Sequence, residues 1–239
     1  MSDNENGLSV FEAGILVTVM VFLCSGCGKK DLESLGVPPD KLEFADAVNA
    51  LRVGEPDADL PFGPGRLEFI KKNIGDEDVL KLTVLQEGQL THLGLAFTKI
   101  TNRSMETIAK IPGLQNLDIA GAPINNEGLT HFADHPTLKR IVLNETAITD
   151  AGLEIVATMP NLECLEVYQC SITDYGLRHV SKMKNLTLIS LDCTKITDKG
   201  LPFLYPLTKL KRLQVGDTGV SEQGLKTLRE KMPDVSVRF

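Results

Sequence analysis

The sequence predicts an α/β solenoid, made by stacking one strand–turn–helix unit along a single axis. A period of 24 residues runs without a gap through Leu90, Leu114, Leu138, Leu162, Leu186 and Leu210. Within each period the first, fourth and sixth residues are apolar, as in Leu186, Ile189 and Leu191. Alternation from the fourth to the sixth is the period-two pattern of a short strand with one buried face. Five residues past the strand comes another aliphatic (Ile100, Ile124, Ile148, Ile172, Ile196, Val220). A strand, a turn and a short helix in 24 residues cannot bury their own apolar faces, whereas stacked copies can.

Each element follows in order. After the aliphatic stands Thr101, Asn125, Thr149, Thr173, Thr197 or Ser221, residue types that cap a helix by accepting from its first free N–H groups. Asp150, Asp174, Asp198 and Glu222 come next, acids that suit the positive end of a helix dipole. A glycine and apolar residues three apart, such as Leu153 and Val156, complete the helical part. Pro112, Pro136 and Pro160 close three of these segments. Residues 64–89 read as a degenerate first coil, with Leu67, Phe69, Ile74, Val79 and Leu82 in the corresponding places. Six regular coils fill 90–234, and the tail "VSVRF" alternates like one last strand. Ahead of the array, 28–63 read as a linker and N-terminal cap, with an amphipathic stretch at 41–52 and a Pro/Gly-rich loop at 54–65.

The run L-x-x-L-x-L-x-x-T/C-x-I-T-D-x-G-L, clearest in 138–161 and 162–185, resembles leucine-rich repeat proteins. That resemblance implies a right-handed solenoid with short parallel strands on a concave face and short helices on a convex one. It also implies a non-enzymatic protein that binds a protein partner along the strands. The same repeats resemble those of F-box substrate receptors of ubiquitin ligases. Residues 28–63 are too short and too rich in Pro, Gly and Asp to supply the F-box.

Composition narrows the chemistry. The net charge of −7 argues against a nucleic-acid surface, and 5% aromatics without tryptophan leave few stacking platforms. No Walker loop, H-E-x-x-H, G-x-S-x-G or dinucleotide fingerprint occurs, so no cofactor, metal or small-molecule substrate is expected. His131 and His135 are four apart, which on a helix would place both on one face, but no third ligand accompanies them. Cys170 shares a column with Thr146, Thr194 and Thr218 and reads as a buried structural thiol, whereas Cys164 reads as facing the concave side, the one candidate for a reactive thiol. His92 stands at a concave strand position as a contact residue.

Across the coils, the outward strand positions form three columns. Their centre holds Arg140, Asn144, Glu166, Tyr168, Asp192 and Arg212, the expected partner-binding patch, because Arg and Tyr are common interface anchors. The N-terminus is expected to hold the protein at a membrane of the cell envelope. Ala13–Cys24 is a twelve-residue apolar run, the length of a signal-peptide core and short of a spanning helix. "LCSGC" resembles a bacterial lipoprotein signal, with Ser25 and Gly26 before Cys27, the lipid anchor that the resemblance implies. Two features differ from that pattern: Cys24 stands three before Cys27 in place of leucine, and the first residues carry Asp3, Glu5 and Glu12 without a Lys or Arg. A single spanning helix, or a cleaved signal on a soluble secreted protein, are the alternative readings of this segment.

Overall fold

A computed structural model of the chain describes residues 65–71, 73–84 and 90–239. The N-terminal segment with Cys27, and the linker at 28–63, lie outside the described residues. Strands β1 (Arg66–Glu68), β2 (His92–Gly94), β3 (Asn116–Asp118) and β4 (Arg140–Val142) are followed by β5 (Cys164–Glu166), β6 (Leu188–Ser190), β7 (Arg212–Gln214) and β8 (Ser236–Arg238). All pair in parallel and in sequence order, and the register sets each residue opposite the one a full coil later. The sequence columns are therefore rows across one sheet.

The middle residue of each of the first seven strands faces inward: Leu67, Leu93, Leu117, Ile141, Leu165, Ile189 and Leu213 are all buried, and Val237 of β8 is partly buried at the end of the stack. Behind them Ile100, Ile124, Ile148, Ile172 and Ile196 are fully enclosed, and the helical residues Leu153, Val156, Leu177 and Val180 close the other wall. One continuous core thus runs the length of the array, as nearest-neighbour stacking requires.

Among the described residues, six helices lie on the convex side: α1 (Asp76–Val79), α2 (Asn102–Ala109), α3 (Asn126–Leu129), α4 (Asp150–Val156), α5 (Asp174–Val180) and α6 (Glu222–Lys231). The expectation of a regular helix in every coil fails at 186–209, which has only a 3₁₀ turn at Leu201–Leu204. Pro202 has no N–H to return to the carbonyl of Asp198, so the α-helical ladder cannot start there. Helix α3 gives way likewise to a 3₁₀ turn, Thr130–Phe132. The "HFADH" segment is therefore not one helix, and Asp134 within it is left-handed at φ 56°. His131 lies exposed, whereas His135 is buried.

His135 occupies the column of Ile111, Met159, Met183 and Leu207, all buried apolar side chains. Its ring stacks on Phe132 with centroids 5.4 Å apart, and its buried Nδ1 has no hydrogen-bond partner among the described residues. Burial holds the imidazole below its usual pKa, against a bond to the Ala109 backbone. The unfolded chain therefore takes up this proton first as pH falls, and folding stability drops from about pH 6.5 down to the depressed folded value, then levels. His135→Met is expected to raise stability by about 1 kcal/mol at neutral pH and to flatten this slope, measured by urea unfolding between pH 7.5 and 5.

The acid of the T-D-x-G-L run has a larger role than favouring its own helix dipole. The Asp150 carboxylate accepts the backbone N–H (2.8 Å) and hydroxyl (2.6 Å) of Thr173, one coil on. Asp174 does the same to Thr197, and Asp198 to Ser221. Asn102 and Asn126 take this part for Asn125 and Thr149. A polar ladder thus ties each coil to the next. The glycine two residues after the acid is where the preceding coil's acid lies: a Cβ on Gly152 would meet Asn126 Oδ1 and Ile148 Cγ2, each at 2.6 Å. In the coil where Ser104 replaces that glycine, its hydroxyl donates to Asp76 at 2.5 Å. Burial works to raise the Asp76 carboxyl, but hydrogen bonds from Ser104 and Thr101, with Arg103 near, hold it below the usual carboxylate value. This contribution is present at neutral pH and is lost on acidification below the ordinary carboxylate range.

Candidate interaction surface

The concave face is built from the first and third residues of each strand and the residue two beyond. A single position per coil then turns left-handed to send the chain toward the helix: Lys71, Phe97, Gly121, Glu145, Gln169, Cys193 and Asp217, with φ of 52° to 63°. Only Gly121 is a glycine, and the Phe97 ring of the preceding coil covers it. Next comes the column of Thr98, Thr146, Thr194 and Thr218, whose hydroxyls donate to the carbonyl three residues back at 2.6–2.7 Å. Cys170 in this column is buried, and its thiol donates to Leu143 O at 3.1 Å.

The register sets Arg140 in one row with Cys164, Leu188 and Arg212, and Glu166 opposite Val142 and Ser190, while Asn144, Tyr168 and Asp192 stand two residues past their strands. Several hold one another. Arg140 donates to Glu166 at 2.5 Å, and Asn144 Nδ2 reaches the other oxygen of Glu166 at 3.4 Å. Asn144 Oδ1 accepts the Tyr168 backbone N–H (2.8 Å), and Asp192 Oδ1 accepts that of Gly216 (2.6 Å). Asn144 and Asp192 are thus partly committed to holding the loop backbone. Arg212 is exposed and forms no ion pair among the described residues. The Cys193 thiol beside the Tyr168 phenol, with Glu145 and Asp217 near, raises the phenol's pKa and keeps it protonated. The left-handed loop residues Glu145, Cys193 and Asp217 therefore border the patch, which strand periodicity alone does not reveal.

Two further groups bound the chemistry. His92 has both ring nitrogens engaged, Nδ1 with Thr91 Oγ1 and Nε2 with Asn116 Nδ2, each at 2.8 Å. The Thr91 hydroxyl donates to Gly65 O, so it accepts from Nδ1–H, and Nε2 accepts from Asn116. This fixes a neutral tautomer, and burial with Arg66 nearby lowers the imidazole pKa. Burial pushes the Cys164 thiol up to about 11, with Glu166 adding to it against Arg140 and Arg212. A thiolate nucleophile is not available there at neutral pH. Iodoacetamide at pH 8 is expected to spare Cys164 in the folded protein and to alkylate it once urea is added. Peptide mass mapping reads the difference.

Against solved structures the chain aligns with an internalin C2 of Listeria monocytogenes at TM-score 0.59 and 22% identity, over 72% of this chain and 69% of that one. A second internalin of that organism, InlF, gives 0.56 and 18% over 72% and 46%. A leucine-rich repeat protein of Leptospira interrogans gives 0.50 and 17% over 70% and 40%. The fold is a leucine-rich repeat solenoid. No family profile and no curated protein matches the chain, so the likeness is one of fold, and the solenoid spans less than half of the latter two chains. Curved arrays of this kind typically serve protein binding, and this solenoid presents eight ordered parallel strands along one face.

Proposed function

We propose that this leucine-rich repeat protein is held at a cell-envelope membrane by its N-terminus, through lipidated Cys27, and binds a protein partner on its concave face. The observation that carries the binding surface is the strand register that sets Arg140, Glu166 and Arg212 in rows on β4, β5 and β7, with Tyr168 two residues past β5. Their backbones are fixed by the core beneath, so docking orders few groups and little conformational entropy is lost. Tyr168 and Arg212 are the anchors, with Arg140–Glu166 as an oriented charge pair on β4 and β5, beside Tyr168 and away from Arg212. For a partner recovered by cross-linking in its native envelope, Tyr168→Ala with Arg212→Ala is expected to weaken binding at least ~30-fold, the scale of a hot spot. Binding unchanged by the pair removes the patch. For the anchor, intact mass of the membrane-fraction protein is expected to show a chain beginning at acylated Cys27; an intact Met1 in that fraction favours the spanning-helix reading instead.

A further inference from the structure

The convex face carries a charge pattern that partner binding on the other face does not use. In the outer columns of the four central coils, Glu127, Asp134 and Glu154 stand on one side with no Lys or Arg, and Arg178, Lys182 and Lys199 stand on the other with no Asp or Glu, all of them exposed. The switch falls between α4 and α5, adjacent helices with matching outer columns. Where α4 and the turn after it show Ala151, Glu154 and Thr158, α5 and the turn after it show Tyr175, Arg178 and Lys182, and all six are exposed. One helix thus presents small residues around an acid, the other large residues around a base. Tyr175 is 58% exposed, the most of any large apolar side chain among the described residues. Arg178 sits between the rings of Tyr175 and Phe203, with Cζ 5.2 and 5.5 Å from their centroids.

We propose that this face pairs with the same face of a second copy of the chain, about a two-fold axis between α4 and α5. A two-fold contact requires a patch that complements itself when turned end for end. Turning this one sets α5 on α4 of the partner copy, reverses the order of the columns, and leaves the middle column facing itself. Arg178 then meets Glu154 of the other copy, Tyr175 lies against Thr158, and Lys182 against Ala151. One coil out, Lys199 meets Asp134. None of Glu154, Asp134, Arg178 and Lys199 forms an ion pair within its own chain among the described residues. The outermost coils keep the same sense, Lys226 toward Glu106 and Glu230 toward Arg103. There Glu106 and Arg103 already hold Lys110 and Glu77 in their own chain, so the two central pairs carry the contact. Every charged position in these columns meets the opposite sign or a neutral residue, and none meets its own sign. Because the contact is mainly charge and one aromatic, it is sensitive to ionic strength. Back-to-back pairing leaves both concave faces outward, so a dimer offers two partner sites and gains avidity toward a multivalent target.

The test is carbodiimide coupling of the full-length protein, which joins a carboxylate to an amine only where they touch. In 50 mM NaCl a species of twice the chain mass is expected, with Asp134–Lys199 among its cross-linked peptides, and in 500 mM NaCl it falls at least tenfold. Arg178→Glu alone and Glu154→Arg alone each abolish it, and the two together restore it. Circular dichroism checks that each exposed substitution leaves the fold intact. A single-mass product in all conditions overturns the proposal, as does a dimer indifferent to Arg178→Glu or one whose cross-links map to the concave face. Binding of the basic coils to anionic vesicles without any dimer also overturns it.

Discussion

Gly152→Val is expected to destabilise the folded protein by about 3 kcal/mol, at the upper end of what overpacking costs. The new Cβ would sit 2.6 Å from both Asn126 Oδ1 and Ile148 Cγ2. Neither neighbour can step aside cheaply. Ile148 is fully buried in the continuous core, and Asn126 Oδ1 accepts the Thr149 backbone N–H at 3.0 Å while its Nδ2 donates to Thr149 Oγ1 at 2.7 Å. Moving the amide frees a part-buried backbone donor, whose desolvation adds to the steric cost. Gly75 provides the contrast. It lies in extended backbone at φ −124°, and a Cβ there meets nothing within 4 Å. Gly75→Ser is expected to stay within about 0.5 kcal/mol of the parent or to stabilise through helix capping. Urea unfolding monitored at 222 nm checks both; equal effects at the two positions would refute the interlocking account.

The same glycine shows how far the sequence could be read. A period of 24 with two buried strand positions was enough to place the strand columns of the core and the column of Ile100, Ile124 and Ile148, because a solenoid repeats one packing problem and its solution must repeat in sequence. What the acid and the glycine do for each other was not legible. The acid bonds the coil after its own, so neither partner of that contact is a sequence neighbour, and a helix-dipole explanation accounted for the acid without it. The 3₁₀ turn at Leu201–Leu204 was written in Pro202; its meaning was hidden by the strength of the surrounding repeat. That His131 and His135 do not share a helix face was not legible, because the left-handed residue between them, Asp134, is not a glycine. On the concave side the columns became rows of the sheet, with Arg140 in register with Arg212 across β4 to β7. They could not show that Asn144 and Asp192 also fasten the loop backbone, since hydrogen-bond partners depend on rotamers rather than on period.

Leu165→Ala is expected to cost about 2–5 kcal/mol, the range for emptying a fully buried leucine site, and to disable the concave patch without touching it. Leu165 is fully buried and sits in register between Ile141 and Ile189. Its own strand carries Cys164 and Glu166 on the opposite face. A cavity beneath β5 therefore loosens Glu166, and with it the Arg140 guanidinium that donates to it. Position in the array matters as much as volume. Each coil touches only its neighbours, so stability is close to a sum of coil and interface terms. A weak central coil divides the stack into halves that unfold separately, whereas a weak terminal coil merely frays. Leu165→Ala is thus expected to lower the urea midpoint and to broaden the transition, with fluorescence probes in the two halves no longer coinciding. Leu67→Ala, in the first strand, is expected to leave the main transition sharp. Amide exchange should accordingly quicken in β4 through β6 for the central variant and in β1 alone for the terminal one. A uniform loss of protection in the central variant would instead show that the whole stack unfolds as one cooperative unit.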